Sequence, residues 1–397
     1  MSKINVRSFS NENEDGAPDI VGITTFSATS YFVPTRGTTT QRPSEHLEEG
    51  SLRYNTDTKN LEYYRGDTIG WSQFELIDPD LGGGTGSNTG LGTRGFVMGG
   101  FGSPDNTREE IEFITMSTLG NTQDFGDLLQ GSQSAFHGLG NRNHAFYAGG
   151  SQVPAGLNVI QKITVASLGN AVDHGDITAG VRANGAGLSN TTRALLAGGN
   201  LGSPATDVIE YFSMMQFGNT VDFGDLSASQ EGLEGSINSS TRGVIFGVGS
   251  YGGNTIEYVT MSTTGNTTAF GELILGVGDA AGGCNSTRGV IGGGLSPTLS
   301  PQTQTDTIQF ITIATLGNSQ DFGDLTQNRN GLGAMSSPTR VVFAGGSIFP
   351  SHFNVMDKIE ILTTGNAVDF GDIAGEDNSN EGKIQNANSV SNGHGGL

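Results

Sequence analysis

One stretch recurs six times along this chain, and its first copy reads Gly120-Asn121-Thr122-Gln123-Asp124-Phe125-Gly126-Asp127-Leu128. The motif combines a Gly-Asn pair with Asp-Phe-Gly-Asp and a following Leu or Ile. Further copies begin at Gly169, Gly218, Gly265, Gly317 and Gly365, in steps of 49, 49, 47, 52 and 48 residues. A period in this range is typical of repeat architectures. The motif therefore predicts a fold built from six equivalent units.

Each repeat contains four short segments with strand character. A wholly apolar segment, such as 194–197, follows a Thr-Arg pair in most copies and ends at two glycines. A run that is apolar throughout indicates a strand packed on both of its faces. A later β-rich segment, 111–116 in the first copy, precedes the Gly-Asn turn, and Asp-Phe-Gly-Asp lies on the fourth strand. Four strands in about 49 residues, six times over, predict an all-β fold, a six-bladed β-propeller with four-stranded blades.

The order of these features resembles kelch repeats over roughly residues 91–390. That resemblance implies the same propeller fold. The sequence departs from the kelch pattern where Phe stands in place of the usual Trp, with His174 in the second copy. The Tyr-Asp pair of the third kelch strand is also missing, although Tyr211 and Tyr258 lie nearby. We therefore describe the repeats as kelch-like.

The Asp-Phe-Gly-Asp motif also occurs in kinases, where its first Asp binds magnesium. Six copies without a Gly-rich loop, a lysine strand or a catalytic loop exclude that interpretation. A calcium site lacks its remaining ligands, and the fourth copy has Ala269 and Glu272 at the two Asp positions. We predict instead that Phe fills the gap between neighbouring sheets, while Gly and Asp shape a turn. No metal or cofactor is expected.

The first repeat lacks a strand ahead of its Thr93-Arg94 pair, because a glycine-rich stretch precedes it. The chain beyond the last motif copy includes 384–391, which lies where a first strand would begin a seventh repeat. We predict that this segment pairs with the strand Gly95 to Gly99. The propeller would then span residues 93–397 and be closed by its C-terminal strand, which removes an exposed sheet edge.

The N-terminal part differs in composition. Residues 79–92 form a glycine-rich linker, and residues 1–78 contain the β-formers 24–33 and a predicted hairpin from 50–55 to 61–64. The motifs Gly37 to Pro43, Glu49 to Thr58 and Gly70-Trp71 are similar to the leading module of tail-fibre and related virion proteins of phages that infect marine cyanobacteria. That resemblance implies a virion-attachment module. Its few apolar residues predict burial against a partner or in a homo-oligomer.

Charge and cysteine content narrow the function. The net charge is −21, from 40 acidic and 19 basic residues, which disfavours nucleic acid as a partner. One cysteine, Cys284, excludes an intrachain disulfide and a cysteine-based zinc site. No apolar run is long enough for membrane insertion, and Met1 to Asn5 lack the apolar core of a signal peptide. We expect synthesis in the host cytoplasm and a place in the virion.

Length variation between repeats concentrates in one loop. From Gly-Gly to the third strand the distances are 11, 10, 10, 7, 14 and 10 residues, and these loops hold six of the eleven prolines. Divergent loops on a uniform scaffold are typical of a binding surface, although relaxed constraint on surface loops gives the same pattern. Aromatic, hydrogen-bonding and basic residues of these loops are the predicted ligand contacts: Arg108, Tyr251, Gln304, Phe349, His352 and Phe353.

Together these features predict a virion structural protein, a tail fibre or tail-associated adhesin that displays a propeller for host-surface glycan binding. Its expected partners are other virion proteins of the tail, baseplate or capsid, and further copies of itself joined through the N-terminal module. The first alternative is a decoration propeller that only bridges virion proteins. The second is a glycan-cleaving enzyme with a carboxylate pair. We favour a protein without catalytic residues, since sialidase boxes are missing and the six histidines are scattered.

Overall fold

A computed structural model describes residues 34–44, 47–58, 60–73, 93–102, 107–151, 156–200, 204–233, 235, 237–249, 252–297, 303–375 and 382–397. The chain divides into two compact units at residue 77. The segment of β-formers at 24–33 and the predicted linker at 79–92 lie outside the described residues.

The first unit contains a small four-stranded sheet and a short 3-10 helix, Thr39–Gln41. The strand order is Arg36–Gly37, Leu52–Asn55, Leu61–Tyr64 and Trp71–Gln73. The first two strands are parallel and the other neighbours are antiparallel. The pairing of the second strand with the third confirms the predicted hairpin.

The interior of this first unit is polar. Glu62 is completely buried and accepts hydrogen bonds from Arg42 and, at 2.7 Å, from Asn55. Arg53 is also buried, with its guanidinium 5.7 Å from the ring centre of Trp71. A buried carboxylate requires such partners, because unpaired charge is strongly disfavoured away from water. Charge pairing therefore holds this sheet together, since Tyr64 is the one buried apolar side chain among the described residues of the unit.

The second unit contains six antiparallel sheets, numbered here in the order of the repeats. Sheet 1 consists of Asn388–Ser391, Arg94–Met98, Arg108–Thr115 and Gln123–Ser132. Sheet 2 consists of His144–Gly150, Leu157–Thr164 and Val172–Asp176. Sheet 3 consists of Ala186–Ser189, Arg193–Ala197, Thr206–Ser213 and Val221–Gln230. Sheet 4 consists of Ile237–Asn238, Arg242–Val248, Thr255–Thr260 and Thr268–Glu272. Sheet 5 consists of Ala281–Cys284, Arg288–Gly292, Thr307–Thr312 and Gln320–Asp324. Sheet 6 consists of Gly333–Ser336, Arg340–Ala344, Val355–Glu360 and Val368–Asp372. In sheet 2 the place of the first strand is taken by residues 136–140, which pair through isolated bridges.

Sheet 1 is built from both ends of the repeat region. Its first strand, Asn388–Ser391, is antiparallel to Arg94–Met98, with Ser389 opposite Val97 and Ser391 opposite Gly95. This is the pairing that the missing first strand of repeat one predicts. It covers what would otherwise be a row of unpaired backbone groups.

The recurring motif joins neighbouring sheets. The backbone nitrogen of Gly169, in the hairpin of sheet 2, donates to the carbonyl oxygen of Phe125 on the outer strand of sheet 1. The side-chain oxygen of Asn170 accepts from the backbone nitrogen of Asp127, two residues further along that strand. We call this arrangement the lock, a Gly-Asn hairpin held by the Asp-Phe-Gly-Asp segment of the preceding sheet.

The locks form a closed series. Each hairpin glycine donates to the carbonyl of the central motif residue of the sheet before it, and sheet 1 returns to sheet 6. The pairs are Gly169 to Phe125, Gly218 to His174, Gly265 to Phe223, Gly317 to Phe270, Gly365 to Phe322 and Gly120 to Phe370, at 2.7–3.0 Å. All six asparagines accept the matching second hydrogen bond. Six sheets are thus linked in a cycle.

The lock corrects one sequence prediction and supports another. Asp-Phe-Gly-Asp does not shape a turn, because it lies within the fourth strand at a β-bulge. The central Phe does fill the gap between sheets, since Phe125 is buried among residues of sheets 1 and 2. The lock uses backbone atoms of the Phe and of the second acidic residue, and it uses neither carboxylate of the motif. This explains why Ala269 and Glu272 are tolerated in the fourth copy.

The Thr-Arg arginines add a second connection between sheets. Each guanidinium donates to a backbone carbonyl at the end of the third strand of the next sheet. The pairs are Arg94 to Val165, Arg193 to Met261, Arg242 to Ile313, Arg288 to Ile361 and Arg340 to Met116. Four of these side chains also lie over an aromatic ring of their own sheet, and the face of the ring attracts the positively charged guanidinium.

The chain after the last strand turns into the centre of the cycle. His394, Gly395 and Gly396 are buried, and the backbone nitrogen of Gly395 donates to the carbonyl of Cys284 on the first strand of sheet 5. The Cys284 sulfur accepts from the backbone nitrogen of Asn238 at 3.2 Å, so this cysteine has a structural role. A cavity of about 10 Å³, enough for one water, remains between the first strands and His394.

Strand direction divides the connections into two faces. In each antiparallel sheet the first-to-second and third-to-fourth turns lie at one edge, which we call the hairpin face. The second-to-third loops and the connections to the next sheet lie at the opposite edge, the loop face.

No helix among the described residues is long and apolar enough to cross a membrane.

Candidate binding surface

The loop face carries three two-stranded ribbons formed by the variable loops. They pair Phe101–Gly102 with Ile384–Gln385, Leu295–Ser296 with Thr303–Gln304, and Ser347–Ile348 with Ser351–His352. A further bridge joins Phe353 to Ile384. The loops of sheets 6 and 1 therefore meet on the C-terminal segment that leads into sheet 1. We call this junction the seam patch, formed by 101–102, 347–353 and 383–385.

Aromatic side chains dominate the seam patch. The rings of Phe101 and His352 meet edge to face, with centres 5.3 Å apart. Phe349 is 89% exposed, the highest exposure of any large apolar side chain in the described part of the chain. Phe353 is half-buried beside them. An aromatic ring held in the open offers a flat apolar surface for stacking.

His352 supplies the polar component of the patch. Its ring is half-buried, and burial lowers its pKa below the ordinary value for histidine. The imidazole is therefore neutral at neutral pH, with one nitrogen as a donor and the other as an acceptor. A neutral group with both functions suits hydroxyl groups, which also donate and accept.

Two of the other predicted contacts are placed differently. Arg108 is only 7% exposed, and its Nε donates to Glu110 at 3.0 Å. Its alkyl chain passes beneath the seam patch, because a Cβ on Gly102 would lie 3.5 Å from Arg108 Cδ. Arg108 thus supports the patch from below. Gln304 lies in the separate ribbon of sheet 5, and Tyr251 lies outside the described residues.

Phe101 and the segment around Lys383 were not among the residues predicted from the sequence. Phe101 follows the Gly-Gly pair of the first repeat, where the other copies have Ser151, Asn200, Gly249, Leu295 and Ser347. An aromatic residue unique to one copy was therefore a usable signal. Lys383 gave none, because its proximity to Gly102 depends on how the ends of the chain meet.

Buried carboxylates occupy a different position, on the third strands between neighbouring sheets. Glu112 accepts a hydrogen bond from the backbone nitrogen of Gly375 at 2.7 Å, and burial raises its pKa. Asp357 is paired with Arg329 at 2.9 Å, and both side chains are completely buried. Raised pKa values often mark catalytic acids. Here each carboxylate binds a residue of the segment that follows the preceding sheet. These contacts therefore connect neighbouring sheets.

Neither metal-binding residues nor known relatives identify a function for this chain. No group of three or more His, Cys, Asp or Glu side chains within the described residues could hold a metal ion. No protein-family model matches the chain, and no curated protein is significantly similar to it. The kelch-like and virion-like resemblances therefore depend on the motifs alone.

Proposed function

We propose that the six sheets are the blades of a six-bladed, kelch-like β-propeller, which a phage virion protein displays to bind a glycan of the host surface. The fold proposal is supported by the closed series of six locks and by the C-terminal strand in sheet 1. The virion proposal is supported by the tail-fibre-like motifs before residue 78. In this proposal the protein is a tail fibre or tail-associated adhesin.

The observation that carries the binding proposal is the exposure of Phe349 beside the Phe101–His352 pair. Sugars present flat C–H faces that stack on aromatic rings and hydroxyl groups that hydrogen-bond to neutral polar side chains. Both elements are present within the seam patch. The strongly acidic protein around it favours neutral or cation-bridged glycans over polyanions.

The direct test is binding of the full-length protein to a panel of bacterial lipopolysaccharides and capsular polysaccharides. We expect Phe349→Ala to weaken binding at least tenfold, because it removes the stacking surface, as truncation of a central aromatic contact does. The matched control is Val221→Ala, an exposed apolar side chain on the outer strand of sheet 3 that belongs to neither the seam patch nor a hairpin. Equal binding by all three proteins would remove the seam patch from consideration.

A second measurement separates adhesion from decoration. A chain that begins at residue 82 should fold, bind the same glycan and fail to join virions, because it lacks the attachment motifs. Glycan-independent incorporation into virions, with no binding to any polysaccharide, would favour the purely structural alternative.

A further inference from the structure

The hairpin face has an unusual composition for a protein with a net charge of −21. Its twelve segments, all described, are 116–122, 165–171, 214–220, 261–267, 313–319, 361–367, 141–143, 190–192, 239–241, 285–287, 337–339 and 392–397. They contain no Asp, Glu or Lys, and Arg142 is their one charged side chain. The centres of protein interfaces are depleted in charge in the same way.

Exposed apolar side chains are distributed around this face. Five of the six third-to-fourth-strand hairpins carry at least one, and each is 56–67% exposed: Leu119, Leu168, Met215, Phe217, Leu316 and Leu362. Single exposed apolar residues are ordinary on protein surfaces. Here they recur at equivalent hairpins of a closed cycle, so they lie at a common level around one ring.

We propose that the hairpin face is the surface through which two copies of this chain associate. Electrostatic repulsion elsewhere on the surface favours a second copy as the partner at this face. Copies of so acidic a protein repel one another wherever carboxylates approach within about 8 Å, the screening length at physiological ionic strength. The hairpin face is where two copies can meet with no acidic side chain inside the contact, so that carboxylates come near each other only at its rim. A basic partner would instead be drawn to the acidic remainder of the surface.

The geometry of the face also suits a copy of itself. A two-fold association must be self-complementary, so that each surface meets the same surface on its partner. Turning one ring over onto another places hairpins against hairpins, since all six lie at one level. The centre of the face is filled by residues 392–397, so no open channel is left at the contact.

Phe217 is the strongest anchor on this face. Its ring lies under the ammonium group of Lys162, with Nζ 3.9 Å from the ring centre, and its centre is 5.3 Å from that of His174. A large aromatic side chain held in place before binding loses little conformational freedom when it is buried. Met215 and Leu168 lie on the same and the adjacent hairpin.

The rim of the face predicts how association depends on salt. The first Asp of each lock is exposed on the outer strand, next to a hairpin: Asp124, Asp173, Asp222, Asp321 and Asp369. In a face-to-face pair these rims approach each other. Added salt screens their repulsion and leaves the apolar contact intact. Association should therefore strengthen as NaCl is raised from 0.05 to 0.5 M.

The test is sedimentation velocity on the full-length protein, because the N-terminal module is itself an expected oligomerisation site. We expect the double variant Phe217→Asp/Leu168→Asp to have half the parent's assembly mass, with association at least tenfold weaker. Phe349→Asp, the same kind of change at a more exposed position on the loop face, should leave the mass unchanged. A second pair, Leu119→Asp/Leu316→Asp, should reproduce the loss. All four positions are exposed, so the thermal melts should match the parent's.

Two results would overturn the proposal. One is an identical mass for the parent and both hairpin-face double variants at every protein concentration and salt tested. The other is association that weakens as salt is raised, which would indicate attraction between opposite charges. Binding to glycans is measured separately, so failure here leaves the proposed function untouched.

Discussion

Nε2 of His394 lies 2.9 Å from the carbonyl oxygen of Gly140, a residue 254 positions earlier in the chain. A carbonyl oxygen only accepts, so Nε2 carries the proton. Nδ1 accepts a hydrogen bond from the backbone nitrogen of Gly396 at 3.1 Å. Both ring nitrogens are thus satisfied in the neutral tautomer, and burial lowers the pKa of His394 to about 4.

His394 binds the backbone at Gly140, the first-strand position that has no side chain to join its neighbour. Around the centre, a side chain of each first strand accepts a hydrogen bond from the backbone of its neighbour, through Ser189, Asn238, Cys284, Ser336 and Ser391. The equivalent residue of sheet 2 is Gly140. The C-terminal segment brings an imidazole to the backbone carbonyl of that residue and so contributes to the joint.

The first prediction concerns pH. The folded-state pKa of His394 is below the ordinary 6.5, so its stabilising effect is complete above pH 6.5 and is lost as pH falls towards 4. Lowering the pH from 7.5 to 5.0 should therefore cost the parent about 2 kcal/mol more than His394→Gln, at about 1.4 kcal/mol per pH unit below 6.5. Urea unfolding of both proteins at the two pH values measures the difference. Parallel losses would show that His394 does not titrate on unfolding.

The second prediction starts from a coordinated exception in sheet 2. His144 stands in the Thr-Arg position, Lys162 stands where four sheets have an aromatic residue under the arginine, and His174 replaces the motif Phe. Sheet 6 also has a lysine at that position, Lys358, but it keeps both its arginine and its motif Phe. His174 Nε2 donates to the carbonyl of Ser213 in sheet 3 at 2.9 Å. That bond stands in for the missing arginine contact, so the three substitutions act together.

We expect His174→Phe to destabilise the protein by about 1–2 kcal/mol, because it leaves the Ser213 carbonyl without its donor. Adding His144→Arg and Lys162→Tyr rebuilds the arrangement of sheet 3, where Arg193 lies over Tyr211. The triple variant should recover at least half of the loss in urea unfolding. If the triple variant is no more stable than His174→Phe, the three positions are independent.

The third prediction tests the lock with two glycines of one repeat. Gly224 has φ +149°, and a Cβ there would overlap the carbonyl oxygen of Gly265 in the next hairpin. Gly218 has φ +156° with open space around it. Gly218→Ala should cost about 1–2 kcal/mol from backbone strain alone. Gly224→Ala should cost at least about 2 kcal/mol more, because it also forces two sheets apart.

Thermal and urea unfolding measure the destabilisation of the two alanine variants. Gly218→Ala reports backbone strain alone, and Gly224→Ala reports strain together with the steric overlap. Equal destabilisation would mean that the sheets separate at no cost, and the lock would then not be a main connection between them. Asp222→Ala is a useful third variant, since Ala269 occupies that position in the fourth repeat. It should be nearly neutral.

The repeat period and the strand pattern were readable from the sequence because they depend on local spacing. The apolar segment 194–197 is buried throughout, as a run apolar on both faces requires. The lock was not readable, because spacing along the chain does not show that Gly169-Asn170 binds Phe125 of the previous copy. The two halves of one motif copy contact different neighbours, which only the assembled sheets reveal.

The binding surface was predictable in part for the same reason. Phe349, His352 and Phe353 share one loop, so the sequence placed them together. Phe101 and Lys383 join them only when the two ends of the repeat region meet in sheet 1. Arg108 was assigned to the loop, but it begins the third strand, where it is buried and paired with Glu110.

The last prediction separates the two roles of the C-terminal segment. Removing residues 392–397 takes away His394 and the central filling but leaves the strand Asn388–Ser391 in sheet 1. Removing 384–397 also takes away that strand, together with the ribbon to Phe101–Gly102. The first truncation should lower the unfolding temperature by a few degrees. The second should lower it by on the order of 10 °C, since several buried side chains and a full strand pairing are lost.

The longer truncation has a further consequence. It exposes the backbone edge of Arg94–Met98, whose five residues are all buried in the intact protein. A long, apolar, unpaired edge is a template for pairing with other chains. We therefore expect light scattering to detect aggregation of the 384–397 truncation and not of the 392–397 truncation. If the longer truncation stays monodisperse and melts with the parent, the C-terminal strand does not close the cycle of sheets, and closure depends on the lock between Gly120 and Phe370 and on the Arg340 contact to Met116.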